Sequence, residues 1–346
     1  MRIERAEAGD ESFEQWICRW YEPWCEAYEA GLSHGREDPV LLKRADRLAM
    51  LRGPVHTERR FLLAAVSDAG DVVGGARVDL PMVDNVRLCW LELSVPPTQR
   101  RRGYGTALLH AVRDLSVAHG RTSLLTGVER PSSAPRATWP GSAFVARRGL
   151  TLRLESVRRD LRLPVDPHRI EGLRRDAAAS ADGYRIETFQ GPVRPEERDQ
   201  MAALKARMST DAPLGDLDYD PETWDAERVV EQEQQFASMG GTWWTSVARA
   251  PDGAWAGFTQ LLWSPNEPAR LYQEDTLVLR EHRGHRLGLL MKLATLERAT
   301  AEAPQARVVT TENATSNSHM IAINEAMGFR ATEIVEEWQA DVSALA

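Results

Sequence analysis

The chain is poor in cysteine. Its 346 residues hold three, Cys18, Cys25 and Cys89, an odd number without a CxxC pair or a Cys/His metal spacing. That pattern argues against a disulfide framework and a zinc site, so no metal is expected and a reducing compartment fits best. Long apolar runs are missing as well: none approaches the ~20 residues that span a bilayer. The start, Met1-Arg2-Ile3-Glu4-Arg5, lacks the apolar core of a signal peptide, so the reading is cytoplasmic with no membrane partner. Nor does positive charge prevail. Lys and Arg number 43 against 51 Asp and Glu, a net charge of −8, which gives phosphate backbones no global attraction and makes nucleic acid an unexpected partner. What remains is 42% hydrophobic and 27% charged, with 24 Gly and 19 Pro. Collagen, coiled-coil arrays and wholesale disorder are thereby excluded. At ~150 residues per domain the length suggests two domains.

An internal repeat organises the rest. Gly70-Asp71-Val72-Val73-Gly74 matches Gly253-Ala254-Trp255-Ala256-Gly257, Val95 matches Val278 and Gly105 matches Gly288, each 183 residues apart (70 to 253, 95 to 278, 105 to 288). Gly149-Leu150 matches Gly328-Phe329 at 179 residues (149 to 328), as a shorter intervening loop would produce. The simplest account is two copies of one fold: residues 1–163, a connecting helix and linker over 164–183, and residues 184–346.

In the first copy a strand near Arg2 leads to an aromatic helix at about Ser12 to Ala30 and a second helix around Val40 to Met50. Three strands follow, at Phe61 to Val66, Val72 to Leu80 and Arg87 to Val95; the first two flank the Asp68-Ala69-Gly70-Asp71 hairpin turn. After Gly105 come a helix to about His119, a strand at Ser123 to Thr126, a short helix near Ser142 and a final strand from Leu152. The second copy repeats this order, which reads as α+β with a mixed, mostly antiparallel sheet flanked by helices.

The segment from Leu91 through Val95-Pro96 and Arg100-Arg101-Arg102-Gly103-Tyr104-Gly105-Thr106 runs from a strand, through a basic glycine loop, into an amphipathic helix. Such a loop is an anion site: glycines let backbone N–H groups approach, the helix N-terminus adds partial positive charge and arginines add charge-assisted hydrogen bonds. The spacing fits neither a Walker loop nor a GxGxxG fingerprint. Arg100 to Gly105 resembles the [Q/R]-x-x-G-x-[G/A] pyrophosphate loop of the GNAT superfamily of N-acetyltransferases. The likeness extends to Val95-Pro96, where that family's fourth strand splays, and to the closing Gly149-Leu150. In the second copy Asp275, Val278, Arg283-Gly284-His285-Arg286-Leu287-Gly288, Asn313, Asn317 and Gly328-Phe329 resemble the family too. There Arg286 replaces the first glycine, so its side chain must point away from the cofactor path or block it. The resemblance spans essentially the whole chain, in a tandem arrangement similar to that of mycothiol synthase-like proteins.

The resemblance implies acetyl-CoA as co-substrate, bound through Val95, Arg100, Arg101, Arg102, Gly103, Tyr104, Gly105 and Thr106, and through Val278, Arg283, Gly284, His285, Arg286, Gly288 and Asn317. It also implies direct attack of a small-molecule amine on the thioester in a ternary complex, which requires a base, oxyanion donors and an acid. Glu92 and Asp275 occupy equivalent strand positions and are the candidate bases, each with a pKa raised by partial burial; a solvent-facing residue of an alternating strand is the plainer account, and Glu274 is a weaker alternative. The family's acid is a tyrosine four residues before the closing glycine. Those positions hold Val145 and Asn324; Asn324 could contact the sulfur or simply bond a nearby loop.

His282 and His285 sit among arginines that repel a metal, and His319 reads as a surface or capping residue. The stripe Phe13, Trp16, Trp20, Trp24 and Tyr28 reads as core, part of which could line an acceptor site. The acidic loop from Thr210 to Pro221 could attract an amine or merely form turns. The competing function is a non-catalytic acyl-CoA or ligand-binding protein that kept the fold. Because the duplication already makes a pseudo-dimer, a monomer or homodimer is expected.

Overall fold

The computed structural model describes residues 1–53 and 55–345. In chain order its elements are β1 (Arg2–Glu7), α1 (Phe13–Leu32), α2 (Arg44–Arg52), β2 (Glu58–Val66), β3 (Val72–Pro81), β4 (Leu88–Ser94), α3 (Tyr104–Ala118), β5 (Ser123–Pro131), α4 (Pro140–Arg147), β6 (Thr151–Arg162), α5 (Pro167–Ala178), β7 (Arg185–Gln190), α6 (Arg198–Asp211), α7 (Ala226–Ser238), β8 (Thr242–Arg249), β9 (Trp255–Trp263), β10 (Arg270–Val278), α8 (Leu287–Glu302), β11 (Val308–Ala314), α9 (Ser318–Met327) and β12 (Arg330–Asp341). The repeated α+β order read from the sequence is present in both halves.

Two compact units result, and neither is contiguous in sequence. Unit 1 gathers Met1–Glu155, Gly215–Tyr219 and the chain from Glu333 onward; unit 2 gathers Ser156–Leu214 and Asp220–Thr332. The sheet of unit 1 runs β1-β2-β3-β4-β5-β12, antiparallel except for the parallel β4–β5 pair. In unit 2 the order is β7-β8-β9-β10-β11-β6, with β10–β11 the parallel pair. The division expected at a connector over 164–183 is therefore corrected. The last strand of each half lies in the sheet of the other, β12 beside β5 and β6 beside β11. Residues Pro167–Ala178, expected as connector, form α5, which packs Ile170, Leu173 and Ala177 into the core of unit 2.

Polar partners explain this assignment of strands. Glu336 on β12 is fully buried and accepts from Arg130 Nε (2.7 Å), Arg136 Nε (2.8 Å), Ser142 Oγ (2.7 Å) and Trp338 Nε1 (3.1 Å). Glu333 receives Arg36 at 2.6 Å. On β6, Asp160 accepts from Thr310 at 2.6 Å. A buried charge without such donors costs several kcal/mol, on the order of 3–5 when one partner is removed, so each strand is matched to one neighbour.

Period-2 alternation sorts the faces of the unit 1 sheet. Leu91, Leu124, Val128 and Trp338 join the core under α3. Leu62, Ala64 and Val66 meet α1 on the other face, where Phe13, Trp16, Trp20, Trp24 and Tyr28 recur at helical spacing. Trp24 Nε1 donates to Leu63 O at 2.9 Å. This approach needs Gly75, since a Cβ there would lie 2.5 Å from Trp24 Nε1.

Candidate active site

On the α1 face of unit 1 lies a cleft of about 960 Å³. Its shape follows from β4 and β5. They pair only from Leu88↔Ser123 to Leu91↔Thr126 and then separate, so the backbone beyond Leu91 opens toward the glycine loop. Alternation turns Glu92 and Gly127, the next residue on each strand, into the cleft. Glu337 stands across from Gly127 on β12, and all three line the cavity.

The loop itself takes a left-handed turn at Arg101 (φ 63°) and Gly103 (φ 87°), the latter capping α3. Nothing lies within 4 Å of a Cβ built on Gly103, which leaves the first-turn N–H groups of α3 open to an anion. The residues present thus fit a diphosphate. Val95, Arg100, Arg101, Gly103, Tyr104, Gly105 and Thr106 line the cleft; Arg102 does not, being exposed beyond it. Arg100 is committed to the backbone, donating from Nε to Val95 O (3.0 Å) and from Nη2 to Gly31 O (3.2 Å). It fastens the end of α1 to the end of β4 and acts as a loop brace.

Glu92 departs from the expectation of partial burial: its side chain is 54% exposed, because the splay opens the strand to solvent there. Oε2 accepts the Tyr28 hydroxyl at 2.7 Å and faces Arg77 Nη1 at 3.4 Å, leaving Oε1 available. Burial, and then the adjacent Glu92 carboxylate, push the Tyr28 phenol well above its ordinary range, so it stays protonated and donates. Arg77 is shared with Asp79 at 2.5 Å. Tyr28, Arg77, Gly127 and Glu337 were not singled out as site residues from the sequence. Tyr28 sits in the aromatic stripe, and Arg77 could be found from the β3–β4 register, which sets it opposite Glu92.

The equivalent region of unit 2 is built from the same backbone and different charges. Gly284 (φ 88°) and Arg286 (φ 53°) repeat the two left-handed positions with glycine and arginine exchanged. Arg286 therefore adopts the turn instead of disrupting it. Arg283 Nε donates to Val278 O at 3.2 Å, as Arg100 does in unit 1, and its Nη2 bonds Asp211 at 3.0 Å. His285 Nδ1 lies 2.9 Å from Ser180 O, and Asn317 caps α9 by accepting from Met320 N at 3.2 Å. The side chains of Arg283, His285 and Asn317 are thus engaged within the protein. Gly288 packs loosely beside Val278.

Asp275 faces the buried Lys205 at 3.7 Å; that ammonium also donates to Gln260 Oε1 at 3.2 Å. A bulge between Gln273 and Thr276 places Glu274 beside them. Glu274 is exposed on its strand; the protein packed around it, then Asp275 and Glu312, push its carboxyl up to about 7 against the pull of Lys205. Glu312, not glycine, follows the last β10–β11 pair, Gln273↔Thr311. Opposite it stands Arg158, at 3.6 Å. Asn324, fully buried, donates from Nδ2 to Asn313 Oδ1 at 2.6 Å. In the acidic loop Asp211 is enclosed by Arg280 and Arg283, and in unit 1 Asp218 pairs with Arg87 at 2.7 Å.

Residues 15–135 match the acetyltransferase (GNAT) family. No curated protein matches the chain. Among solved structures, a tandem GNAT protein from the clavulanic acid biosynthesis pathway, determined without AcCoA, is 27% identical with a TM-score of 0.76 and covers 99% of each chain. A GCN5-related N-acetyltransferase from Sphaerobacter thermophilus shares the fold at 13% identity and TM-score 0.64, over 98% of this chain and 96% of its own. The acetyltransferase region of a fungal multi-domain GH3 β-N-acetylglucosaminidase aligns at 14% identity and TM-score 0.63, over 98% of this chain and 38% of that one. A parallel strand pair that splays ahead of a glycine-containing loop at a helix start recurs in each unit, and with the family match over residues 15–135 and the tandem GNAT protein aligned over 99% of the chain it supports an N-acetyltransferase similar to tandem GNAT proteins.

Proposed function

We propose that unit 1 transfers an acetyl group from acetyl-CoA to the amine of a small molecule, and that unit 2 is its non-catalytic partner. The observation carrying this reading is the contrast in charge. Unit 1 presents Glu92 beside the side-chain-free Gly127 in an open cleft. In unit 2 an internal ammonium, Lys205, faces Asp275, and the Glu312–Arg158 pair stands where Gly127 leaves a gap. Unit 2 so fills with the Glu312–Arg158 pair the row that in unit 1 holds Gly127 and the unpaired Glu337.

When bound, acetyl-CoA supplies a thioester carbonyl as electrophile. The chain's part begins at the splay beyond Leu91 and Thr126, whose backbone groups would hold the pantetheine arm, and at the α3 N-terminus, which would hold the diphosphate. Glu92 Oε1 takes a proton from the acceptor ammonium, directly or through water, leaving the lone pair for attack. As the C–N bond forms and the C–S bond breaks, the nitrogen loses a second proton and the departing thiolate gains one. Tyr28 and Arg77 hold Glu92 in place through Oε2.

The test is acetyl-CoA titration by calorimetry together with thiol release over an amine panel. Gly103→Val, strained at φ 87°, is expected to weaken binding in unit 1 and abolish transfer; Gly284→Val leaves transfer intact. Transfer surviving Gly103→Val but lost in Gly284→Val would overturn the assignment.

A further inference from the structure

Five carboxylates line the cleft of unit 1: Glu58, Asp79, Glu92, Glu129 and Glu337. Four have cationic partners. Glu58 pairs with Arg60 at 3.1 Å, Asp79 with Arg77 at 2.5 Å, Glu92 with Arg77 at 3.4 Å and Glu129 with Arg36 at 2.5 Å. Glu337 has no hydrogen bond or ion pair among the described residues. It is partly buried, and burial raises its carboxyl above the ordinary range. Its carboxylate opens to the cleft without a protein donor, whereas the neighbouring strand position, Glu336, shows that this chain supplies donors where a buried charge is structural.

Its position relative to Glu92 is set by the sheet. Leu91↔Thr126 and Thr126↔Trp338 are paired residues, so Glu92, Gly127 and Glu337 form the next row and share one face. Paired strands lie ~4.8 Å apart, and because β4 and β5 part beyond Leu91↔Thr126 the two glutamate backbones are more than about 10 Å apart, with Gly127 on the strand between them. Nothing within 4 Å would meet a Cβ there, so the floor between the carboxylates is open. In unit 2 the same row reads Glu312 and Arg158, and the position of Glu337 is taken by a cation.

We propose that Glu337 binds a second cationic group of the acceptor, so that unit 1 selects diamines or other dicationic amines over monoamines. This inference rests on the acetyltransferase reading of unit 1 and names its substrate class. One ammonium lies at Glu92 and is acetylated; the other lies at Glu337 and is not consumed. Because β12 comes from the far end of the chain, specificity in the N-terminal site is written in the C-terminal strand.

The experiment compares kcat and KM for matched pairs: 1,3- to 1,6-diaminoalkanes against alkylamines of equal length, and lysine amide against norleucine amide. Wild type and Glu337→Gln are assayed in the full chain, with acetyl-CoA affinity as the control for folding. Glu337→Gln is expected to raise KM for the dicationic member by roughly 10- to 100-fold, the worth of a charge-assisted bond, with kcat and the monoamine constants unchanged; Glu337→Asp restores part of the loss. Equal use of both members by wild type, or an equal effect of Glu337→Gln on both, would overturn the proposal while leaving the acetyltransferase reading intact. If wild type acetylates and binds no amine of the panel, both fall.

Discussion

Glu336→Gln tests what holds the C-terminal strand in the N-terminal unit. The carboxylate is fully buried and takes four donors, two of them guanidinium groups. An amide of the same shape keeps one acceptor oxygen, loses the charge and turns an NH2 toward a donor. Breaking a buried ion pair from one side costs about 3–5 kcal/mol. Two features put this case at the lower end: Arg136 is 41% exposed and can rehydrate, and Arg130 keeps Glu155 at 3.5 Å. With about 3 kcal/mol and a urea m-value of about 2 kcal/mol/M for a unit of this size, the midpoint falls by about 1.5 M. Tryptophan fluorescence in urea reads it. Although burial alone would raise Glu336, the bonds from Arg130, Arg136, Ser142 and Trp338 hold its carboxyl below the ordinary 4.5. A depressed folded value gives stability that is present above the unfolded pKa and lost as pH falls through the folded one. Wild type should therefore lose more stability than Glu336→Gln on acidification below pH 4.5. A midpoint shift under about 0.3 M, below about 0.6 kcal/mol, would refute the claim that this cluster selects the strand.

The contrast between units predicts that Gly127→Glu combined with Glu337→Arg, which copies Glu312 and Arg158, extinguishes transfer in unit 1; unhindered space at Gly127 should keep the stability cost within about 1 kcal/mol, and melting curves with thiol-release assays check both halves. Lys292, fully buried on the inner face of α8 with its ammonium 5.6 Å from the Phe329 ring, is lowered by burial to about 7. Its unfolded value is higher, so the penalty is fully present below pH 7 and is relieved as pH rises toward 10.5. Lys292→Met should stabilise unit 2 by several kcal/mol, at most ~5, at pH 6.5 and by much less at pH 10; a gain independent of pH in urea melts would count against this.

The duplication, the order of elements and the glycine loops were legible in the sequence because each is local. Gly70 and Gly253 mark the same turn, and Gly103 caps the helix that follows it at φ 87°. Glu92 could be found as a strand carboxylate; its exposure could not, since that depends on where β4 and β5 part. Arg286, for which the sequence left open whether its side chain points away from the cofactor path or blocks it, adopts the loop's left-handed turn, at a cost to an arginine of only about 1–2 kcal/mol.

Tertiary structure decided which strand closes which sheet. Alternation in β6 and β12 states which residues face inward, not which partner lies alongside, and either strand could follow the element before it in the chain. The choice rests on pairs far apart in sequence, Arg130 with Glu336, Arg36 with Glu333 and Thr310 with Asp160, whose buried charges and hydroxyls find their partners in this arrangement. With that exchange Glu337 enters the N-terminal cleft and Arg158 the C-terminal unit, so two copies with the same loop differ in the charge they offer a substrate.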